Sequence, residues 1–325
     1  MSHWNLTTPV ALIIFNRPET TKRVFAEVAK AKPPILLVVA DGARNQRIGE
    51  AEKCATTRAI VDQVDWDCKV LTNYSDTNLG CKNRVASGLD WIFEQVPEAI
   101  ILEDDCLPEP SFFRFCEEML ERYRDDERIA MISGDNFQFG RTRGDASYYF
   151  SRYNHIWGWA SWRRAWKGYD KEIALWPMVR NHEYLSAIIK NKNEIRYWSQ
   201  IFERTFQGKI DTWDYQWMLH SWIQGRISVM PNVNLISNIG FGADATHTQG
   251  VSMYADMKTQ ALSFPLQHPA AILPHHAADS YTSSYIFNSN ALSRTIKTLW
   301  MKYQMGVLST QDFSMLAKQA IRKFQ

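Results

Sequence analysis

Three consecutive carboxylates, Glu103, Asp104 and Asp105, follow a run of aliphatic residues in the segment "AIILEDDCLPEPSFF" (99–113). We call them the acidic triplet. Burying adjacent carboxylates is costly unless their charge is compensated. A divalent cation provides that compensation, because Mg²⁺ and Mn²⁺ are commonly held by one or two carboxylates plus substrate phosphates. In an extended strand, Glu103 and Asp105 would point to one face and Asp104 to the other. Asp105, nearest the end of the strand, is the predicted metal ligand.

Other kinds of protein also place carboxylates after a strand. In a haloacid-type phosphatase the pattern is Asp-x-Asp-x-Thr/Val, and "EDDCLPEP" offers no hydroxyl at the required place. A receiver domain would be much shorter than 325 residues. A solvated strand end that caps the next helix stays open as an alternative.

A second candidate acid lies far along the chain, in "DTWDYQWML" (211–219). Asp214 is flanked by Trp213 and Trp217, and desolvation by indole rings raises the pKa of a carboxyl group toward the range of a general base. Its chemistry would be to take a proton from an acceptor hydroxyl as that oxygen attacks a sugar. Asp211 is the second choice for this role. Either residue could instead cap a helix.

Four more polar residues follow strands or open helices, and a fifth lies in a loop. Arg17 follows "IIFN", Asp41 ends "VVAD", and Lys82 and Arg84 lie in "NLGCKNR", where a helix is predicted to begin. A helix N-terminus with nearby cations suits a diphosphate, and His247, in "GADATHTQ", is predicted to close over a phosphate. The plain alternatives are a surface cap for Arg17, an Asp-Gly turn for Asp41 and solvated side chains for the others.

Short apolar runs alternate with amphipathic stretches in the first part of the chain. The runs predict buried strands, and the 3.6-residue periodicity between them predicts helices. Such alternation predicts right-handed β-α-β units and a largely parallel sheet over residues 8–136. Ligands bind at the carboxyl ends of the strands of such sheets. The predicted strands lie within 10–15, 33–44, 65–74, 99–105 and 128–136, and the predicted helices within 17–32, 77–96 and 111–126.

The alternation stops beyond residue 145. Nine of the thirteen tryptophans lie between Trp157 and Trp222, which indicates either a sugar-stacking site or an aromatic core. A helix is predicted within 212–225 and a strand within 226–236. Two further helices are predicted in the tail, at 291–304 and 310–324.

Charge and cysteine content limit the compartment and the partners. The net charge of 37 − 35 = +2 gives no electrostatic case for nucleic acid. The five cysteines are odd in number and form no CxxC pair, which favours a reducing compartment. The apolar run "PVALIIF" has only seven residues, carries no positive lead and runs straight into "NRPETTKR", so no signal peptide is predicted. No run reaches the ~18–20 apolar residues that cross a bilayer. These features predict a cytoplasmic protein.

The tail is more basic than the rest of the chain. Residues 291–325 hold six Lys/Arg and one Asp, a net charge of 6 − 1 = +5. Two amphipathic helices of this charge predict peripheral contact with an anionic membrane at the inner face of the cytoplasmic membrane. An ordinary packed pair of C-terminal helices is the alternative.

Taken in order, a set of short motifs resembles the GT-A-fold glycosyltransferases. The chain is most similar to the alpha-mannosyl-glycoprotein beta-1,2-N-acetylglucosaminyltransferases and to bacterial family-2-like relatives. The motifs are "IIFNR", "VVADGAR", "NLGCKNR", "IILEDDCLPEPSFFRF", "GWASWRRAW", "TWDYQW" and "NIGFGADATH".

The resemblance covers roughly residues 8–250, and "EDDxxxxPxFF" is its most specific part. It implies an α/β GT-A (Rossmann-like) fold, with a mixed, mostly parallel sheet flanked by helices. Residues 1–250 would form the transferase domain, with a nucleotide-sugar-binding half (1–136) and an acceptor-binding half (137–250). Residues 251–325 would be a partly helical C-terminal extension.

Carried over residue by residue, the resemblance implies roles for the polar strand ends. Arg17 and Asp41 would contact the nucleotide, and Glu103 the donor sugar. Asp104 would lie near the ribose, and Asp105 would bind Mn²⁺ (or Mg²⁺).

The resemblance also implies that Asp214 is the base of an inverting displacement and that the "GFGADATH" loop orders over the diphosphate. In "WDYQW", Tyr215 and Gln216 stand where the family tends to have a second Asp close to Trp. Asp211 therefore stays the second choice for the base.

These observations predict a metal-dependent, inverting glycosyltransferase. It would use a nucleotide-sugar donor, a UDP-sugar first of all, and a glycan or lipid-linked saccharide acceptor, in surface polysaccharide synthesis. A non-catalytic carbohydrate-binding or envelope-assembly protein is one alternative. A sugar-nucleotide pyrophosphorylase is another, although "FNRPETTKR" lacks the glycine-rich loop that such enzymes place after their first strand.

Overall fold

The structure is a computed structural model that describes residues 4–241, 254, 256–287, 295, 296, 299, 300, 303 and 308–324. The strands are β1 (Val10–Ile14), β2 (Ile35–Ala40), β3 (Lys69–Tyr74), β4 (Glu98–Glu103), β5 (Cys106–Pro108), β6 (Ile129–Ser133), β7 (Tyr148–Ser151), β8 (Trp159–Trp162), β9 (Ile227–Pro231) and β10 (Ile236–Asn238). The helices are α1 (Pro18–Ala31), α2 (Glu50–Ala59), α3 (Gly80–Gln95), α4 (Ser111–Arg122), α5 (Arg163–Trp166), α6 (Trp176–Asn181), α7 (Leu185–Ile188), α8 (Lys192–Phe206), α9 (Asp214–Ile223), α10 (His276–Thr282) and α11 (Thr310–Phe324).

Eight strands form one sheet in the order β3-β2-β1-β4-β8-β6-β9-β7. The first four strands of the chain, together with β6 and β9, run in one direction, whereas β8 and β7 run in the other. Strands β5 and β10 form a separate antiparallel ribbon. The predicted fold class, a mixed, mostly parallel Rossmann-like sheet flanked by helices, is confirmed.

The centre of the sheet is covered on both faces. Every residue of β1 is buried, as expected for a continuous apolar strand between two layers of helices. Helix α1 turns Val24, Phe25 and Val28 toward this core, and these residues lie on one face because they are spaced one and three to four apart. Burial of these side chains positions the strand ends that carry the polar residues.

The five strands and three helices predicted before residue 136 are confirmed to within a few residues. Strands β7 and β8 were missed, because the four residues of each, "YYFS" and "WASW", are too few to show an alternating pattern. Strand β8 lies antiparallel between β4 and β6, with Trp159 opposite Ile101. Helix α2 was also missed, because its sequence is largely polar. Its buried residues are Glu50, Cys54 and Thr57.

The tryptophan cluster forms mostly aromatic core. Trp157 is partly exposed, and the other eight tryptophans of the cluster are buried. The five cysteines are all free. The aromatic-core explanation is therefore right for these eight residues.

The C-terminal extension packs against β7, at one edge of the sheet. Pro274 bridges to Phe150 of β7, and Ser151 donates a hydrogen bond to Asp279 of α10 (2.6 Å). Helix α11 confirms the second predicted tail helix, whereas the first, at 291–304, lies mostly outside the described residues. Within the described parts of the chain, no helix has both the length and the apolar character needed to cross a bilayer.

Candidate functional site

The site lies at the carboxyl ends of β1 and β4, which are neighbours in the sheet. Pro18 opens α1, a position where its missing N–H is not needed, and Arg17 lies just before it. Arg17 Nη1 is 2.7 Å from Asp105 Oδ2 and 3.7 Å from Asp104 Oδ1. The prediction that Asp104 and Asp105 face opposite ways is wrong, since β4 ends at Glu103 and the next two residues form a turn.

Burial and mutual repulsion disfavour the ionised forms of the acidic triplet. Burial raises the pKa of Glu103 to about 8, and repulsion from the rest of the triplet and from Asp214 adds to the rise. Burial also raises the pKa of Asp104 to about 7, with repulsion from Asp105 next. Among the described residues, Arg17 is the cation that pairs with the triplet, and additional positive charge would favour the ionised form of its carboxylates.

We tested whether these residues fit a divalent cation. Within the described residues, no three or more His, Cys, Asp or Glu side chains are grouped to hold a metal ion. The triplet therefore offers at most one or two carboxylates to one cation, and water and phosphate oxygens would have to complete the shell. Asp105 Oδ2 is bonded to Arg17 in this structure, and Gly240 packs so closely that a Cβ there would lie 2.1 Å from that oxygen. In this structure Arg17 and Gly240 therefore occupy the surroundings of that oxygen, and Asp105 Oδ1 is the other oxygen of the same carboxylate.

Asp41 follows β2 and holds the start of α3. Its Oδ1 accepts the N–H groups of Gly42 and Leu79, both at 2.9 Å. Its Oδ2 accepts the Gly80 N–H at 3.1 Å and the Asn78 side-chain amide at 3.0 Å. Burial raises the pKa of Asp41, and these N–H donors oppose the rise. The contacts in the structure are thus within the chain, and contact with a nucleotide stays a prediction.

Arg84 and Lys82 are also engaged within the chain. The buried Arg84 guanidinium donates to the carbonyl oxygens of Ala40 (3.2 Å) and Asn73 (2.6 Å), which ties α3 to β2 and β3. Lys82 Nζ pairs with Glu172 at 2.7 Å. His247, the remaining predicted phosphate contact, lies outside the described residues.

Asp211 and Asp214 approach the same edge from the segment before α9. Asp211 accepts the Lys82 N–H at 3.0 Å, so it caps the first turn of α3. Asp214 opens α9 and accepts a hydrogen bond from the Thr212 hydroxyl. Since its charge contributes to the raised pKa of Glu103, Asp214 lies close to the acidic triplet although the two are far apart in sequence.

Cys81, in the first turn of α3, lies at the centre of this edge. Burial raises the pKa of its thiol, and the nearby carboxylates raise it further. These carboxylates come from three separate parts of the chain: Asp41 after β2, Glu103 at the end of β4, and Asp211 and Asp214 around the start of α9. The strand ends and the α9 segment therefore converge on one place.

A cavity of about 490 Å³ opens beside Arg17. This volume lies within the range of about 300–1,000 Å³ that is typical of small-ligand pockets. Arg44 pairs with Glu50 on its wall, and Asn16 donates to the same carboxylate at 2.9 Å. The lining residues are Asn16, Arg17, Pro18, Glu19, Thr20, Arg44, Arg47, Ile48, Glu50, Lys53, Ile239 and Gly240. With three arginines and a lysine against two glutamates, the cavity suits an anionic ligand.

The structure adds two residues that the sequence analysis missed. Asp135 follows β6, and His155 precedes β8, where both are buried at the same edge of the sheet. His155 Nδ1 lies 3.5 Å from Asp135 Oδ1. The available signal for Asp135 was its place directly after an apolar strand, the same signal that singled out Asp41 and the acidic triplet.

Comparison with known proteins gives no family assignment: no family model and no curated protein matches the chain. Among solved structures, UDP-glucose pyrophosphorylase in complex with UDP-glucose is similar at 9% identity, over 69% of this chain and 90% of that one, with a TM-score of 0.33. Apo UDP-glucose pyrophosphorylase is similar at 8% identity, over 70% of this chain and 93% of that one, with a TM-score of 0.33. Apo mouse xyloside xylosyltransferase 1 is similar at 10% identity, over 66% of this chain and 81% of that one, with a TM-score of 0.31. Likenesses of this degree carry no functional argument, so the function rests on the site itself.

Proposed function

We propose that the protein is a metal-dependent, inverting glycosyltransferase. It moves a sugar from a nucleoside-diphosphate donor, a UDP-sugar first of all, to a hydroxyl of a glycan or lipid-linked saccharide. The observation that carries this proposal is the acidic triplet facing the guanidinium of Arg17, beside a cavity lined with basic residues. An edge of this kind suits a cation and a diphosphate together.

The donor would bind between the cavity and the acidic triplet. Asp105, with one further carboxylate of the triplet, would hold Mn²⁺ or Mg²⁺, and the ion would supply positive charge for the departing diphosphate. Arg17 would exchange its bond to Asp105 for a bond to a phosphate oxygen, since both are anionic acceptors for a guanidinium. Arg44 and Lys53, on the cavity wall, would attract the nucleotide by charge.

The acceptor would be activated from the α9 side. Asp214 would take the proton of the acceptor hydroxyl as that oxygen forms its bond to the anomeric carbon and the bond from that carbon to the diphosphate breaks. Attack from the face opposite the diphosphate inverts the configuration. Asp211 is the alternative base, although its bond to the Lys82 N–H gives it a structural task as well.

The finer assignments belong to the proposal too. Glu103 would contact the donor sugar and Asp104 the ribose. Surface polysaccharide synthesis in the cytoplasm is the proposed setting, with residues 291–325 resting on the inner face of the membrane.

Calorimetry with UDP, in the presence and absence of Mn²⁺, tests the proposal. A transferase of this kind binds UDP with Mn²⁺ present and loses binding when EDTA is added. UDP-, GDP- and dTDP-sugars are then screened for metal-dependent release of the nucleoside diphosphate. A carbohydrate-binding module would ignore the nucleotide, and this result would contradict the proposal.

The pyrophosphorylase alternative has its own product. With a UDP-sugar and pyrophosphate, such an enzyme forms UTP, whereas the proposed transferase releases UDP, and chromatography separates the two. The connection from β1 to α1 consists of Phe15, Asn16 and Arg17, without a glycine. It lacks the glycine-rich loop that the pyrophosphorylase alternative requires, and this favours the transferase.

A further inference from the structure

Asp135 and His155 form a buried polar pair where β6 ends and β8 begins. Their exposed fractions are 1% and 4%. The Ser133 hydroxyl lies 2.7 Å from Asp135 Oδ1 and 2.9 Å from the His155 carbonyl oxygen. The Gly134 N–H donates to the Gly158 carbonyl oxygen at 2.7 Å. These bonds join the two connections and fix the two side chains beside each other.

Three polar atoms of this pair have no hydrogen-bond partner within the part of the chain that the structure describes, although one of them, His155 Nδ1, lies 3.5 Å from Asp135 Oδ1. They are Asp135 Oδ2 and both ring nitrogens of His155. Buried polar groups left unpaired are costly, so nearly all are satisfied by protein, water or ligand. Three such atoms on two adjacent side chains indicate that something polar binds there.

The surroundings of the pair are aromatic. The Phe137 ring lies 4.7 Å from the His155 ring, 5.1 Å from the Trp157 ring and 5.2 Å from the Tyr254 ring, measured between centroids. A pyranose combines apolar C–H faces, which pack on such rings, with hydroxyl groups that both donate and accept hydrogen bonds. A phosphate does not fit, because the Asp135 carboxylate would repel it.

The pair lies next to the acidic triplet. Ile236 of β10 contacts the backbone at both Gly134 and Gly158, where an added Cβ would lie 2.6 Å and 2.5 Å from its side chain. Strand β10 pairs with β5, which begins directly after Asp105. One short ribbon therefore connects the pair to the proposed cation ligand.

We propose that Asp135 and His155 bind hydroxyl groups of a saccharide, with Asp135 Oδ2 and the His155 ring nitrogens as the contacting atoms. This inference rests on the proposed function and names a part of its substrate site. The saccharide is either the sugar of the donor or the acceptor, and the chemistry of recognition is the same for both.

The test uses Asp135→Asn and His155→Gln in the full chain. The exposed residues Asp145 and His182 provide matched controls, Asp145→Asn and His182→Gln. Calorimetry with Mn²⁺ gives the Kd of UDP, UDP-glucose and UDP-N-acetylglucosamine for each protein. If the pair binds the donor sugar, the Kd of a UDP-sugar rises by about 10-fold or more, as expected for a lost buried hydrogen bond, while the Kd of UDP and both controls are unchanged.

A second measurement needs no stable variant. The His155 imidazole of the wild-type protein is followed by NMR during titration with methyl glucoside or methyl N-acetylglucosaminide, with UDP present. If the pair binds the acceptor, the glycoside shifts this resonance while the affinities for UDP-sugars are the same in all variants.

Each outcome has a clear meaning. If UDP-sugars bind but neither measurement involves His155 or Asp135, the pair holds only buried water and the inference is overturned. If no nucleotide binds but a glycoside still shifts His155, the saccharide site stands and the proposed transferase is rejected. If neither nucleotides nor glycosides have an effect, both are rejected.

Discussion

At the residue scale, Asp105 and Arg17 act together. From sequence, Asp105 is predicted to bind a metal ion and Arg17 a nucleotide. In the structure Arg17 Nη1 lies 2.7 Å from Asp105 Oδ2. The ion pair satisfies the proposed ligand when no cation is bound, and the arriving diphosphate would take over the arginine. Nothing in a linear pattern shows such pairing, because Arg17 and Asp105 meet only when β1 and β4 become neighbours.

Asp105→Asn tests the proposed cation ligand. It removes one charged oxygen ligand, and we expect the Mn²⁺-dependent affinity for UDP to fall by about 10- to 150-fold, the range for contacts to a charged group. Calorimetry at saturating Mn²⁺ measures the loss. Asp67→Asn, at an exposed position, is the control. Unchanged affinity in Asp105→Asn would remove this residue from the metal site.

Asp214→Asn separates binding from turnover. The amide keeps the shape of the side chain but cannot accept the acceptor's proton, so we expect kcat to fall by about 10²- to 10⁴-fold. The Kd of the donor should stay within about twofold, since the base acts on the acceptor. Steady-state kinetics and calorimetry give the two quantities. Asp211→Asn is the comparison: a larger loss of kcat there would move the base to Asp211.

At the element scale, Gly158 lies where the connection after β6 meets the connection before β8, and Ile236 packs closely against it. Gly158 has φ +59°, and an added Cβ would lie 2.5 Å from Ile236 Cδ1. Gly140 has φ +80°, but among the described residues nothing lies within 4 Å of an added Cβ. Gly140→Ala should lower the free energy of unfolding by about 1 kcal/mol, the cost of a left-handed alanine. For Gly158→Ala we expect about 2–4 kcal/mol, since overpacking adds to that cost.

Urea denaturation of the two glycine variants, followed by tryptophan fluorescence, measures these losses. Equal losses would show that Ile236 moves aside without cost.

The connection from β2 to α2 gives a prediction for pH. The hydrogen-bonded Arg44 guanidinium lowers the pKa of Glu50 from 4.5 to about 2. A carboxyl group whose pKa is lower in the folded state stabilises the fold above pH 4.5 and loses this contribution as the pH falls toward about 2. Glu50→Gln should therefore flatten the decline of stability in this range. Urea denaturation at several pH values measures it. Glu52→Gln, at an exposed position on the same helix, should keep the wild-type slope.

The elements that the sequence predicted well are those whose apolar pattern is set by a core on both faces, such as β1 and β4. Strand β8 was not predicted because its four residues, "WASW", are too few to show the alternation of a strand. The acidic triplet could be located from sequence because charge directly after a buried strand is unusual. The pair of Asp135 and His155 could not be located from sequence, because Asp135 follows β6 and His155 precedes β8, and these two connections come together only in the folded chain.

At the scale of the whole molecule, charge is distributed unevenly. Residues 291–325 carry +5, so the rest of the chain carries 2 − 5 = −3. In α11 the basic Lys318 and Arg322 are exposed, as are the apolar Met315 and Ile321. Such a helix suits an anionic bilayer surface, where a lipid-linked acceptor would be found.

The double variant Lys318→Gln with Arg322→Gln tests this contact. Each basic side chain contributes about 1 kcal/mol near an anionic surface, so binding to phosphatidylserine vesicles should weaken by about 30-fold. Co-sedimentation with vesicles measures it. Lys190→Gln with Lys192→Gln, at exposed positions elsewhere, is the matched control. Equal binding of wild type and double variant would favour an ordinary packed helix.

The antiparallel insertion of β8 between β4 and β6 has a consequence for protein engineering. A fragment that stops at residue 136 would expose an open backbone edge on β4, and unpaired edges of this kind recruit other chains. A chimera that takes the first 136 residues of this chain must therefore carry "WASW" with them. The smallest transplantable piece of this molecule reaches at least to Trp162.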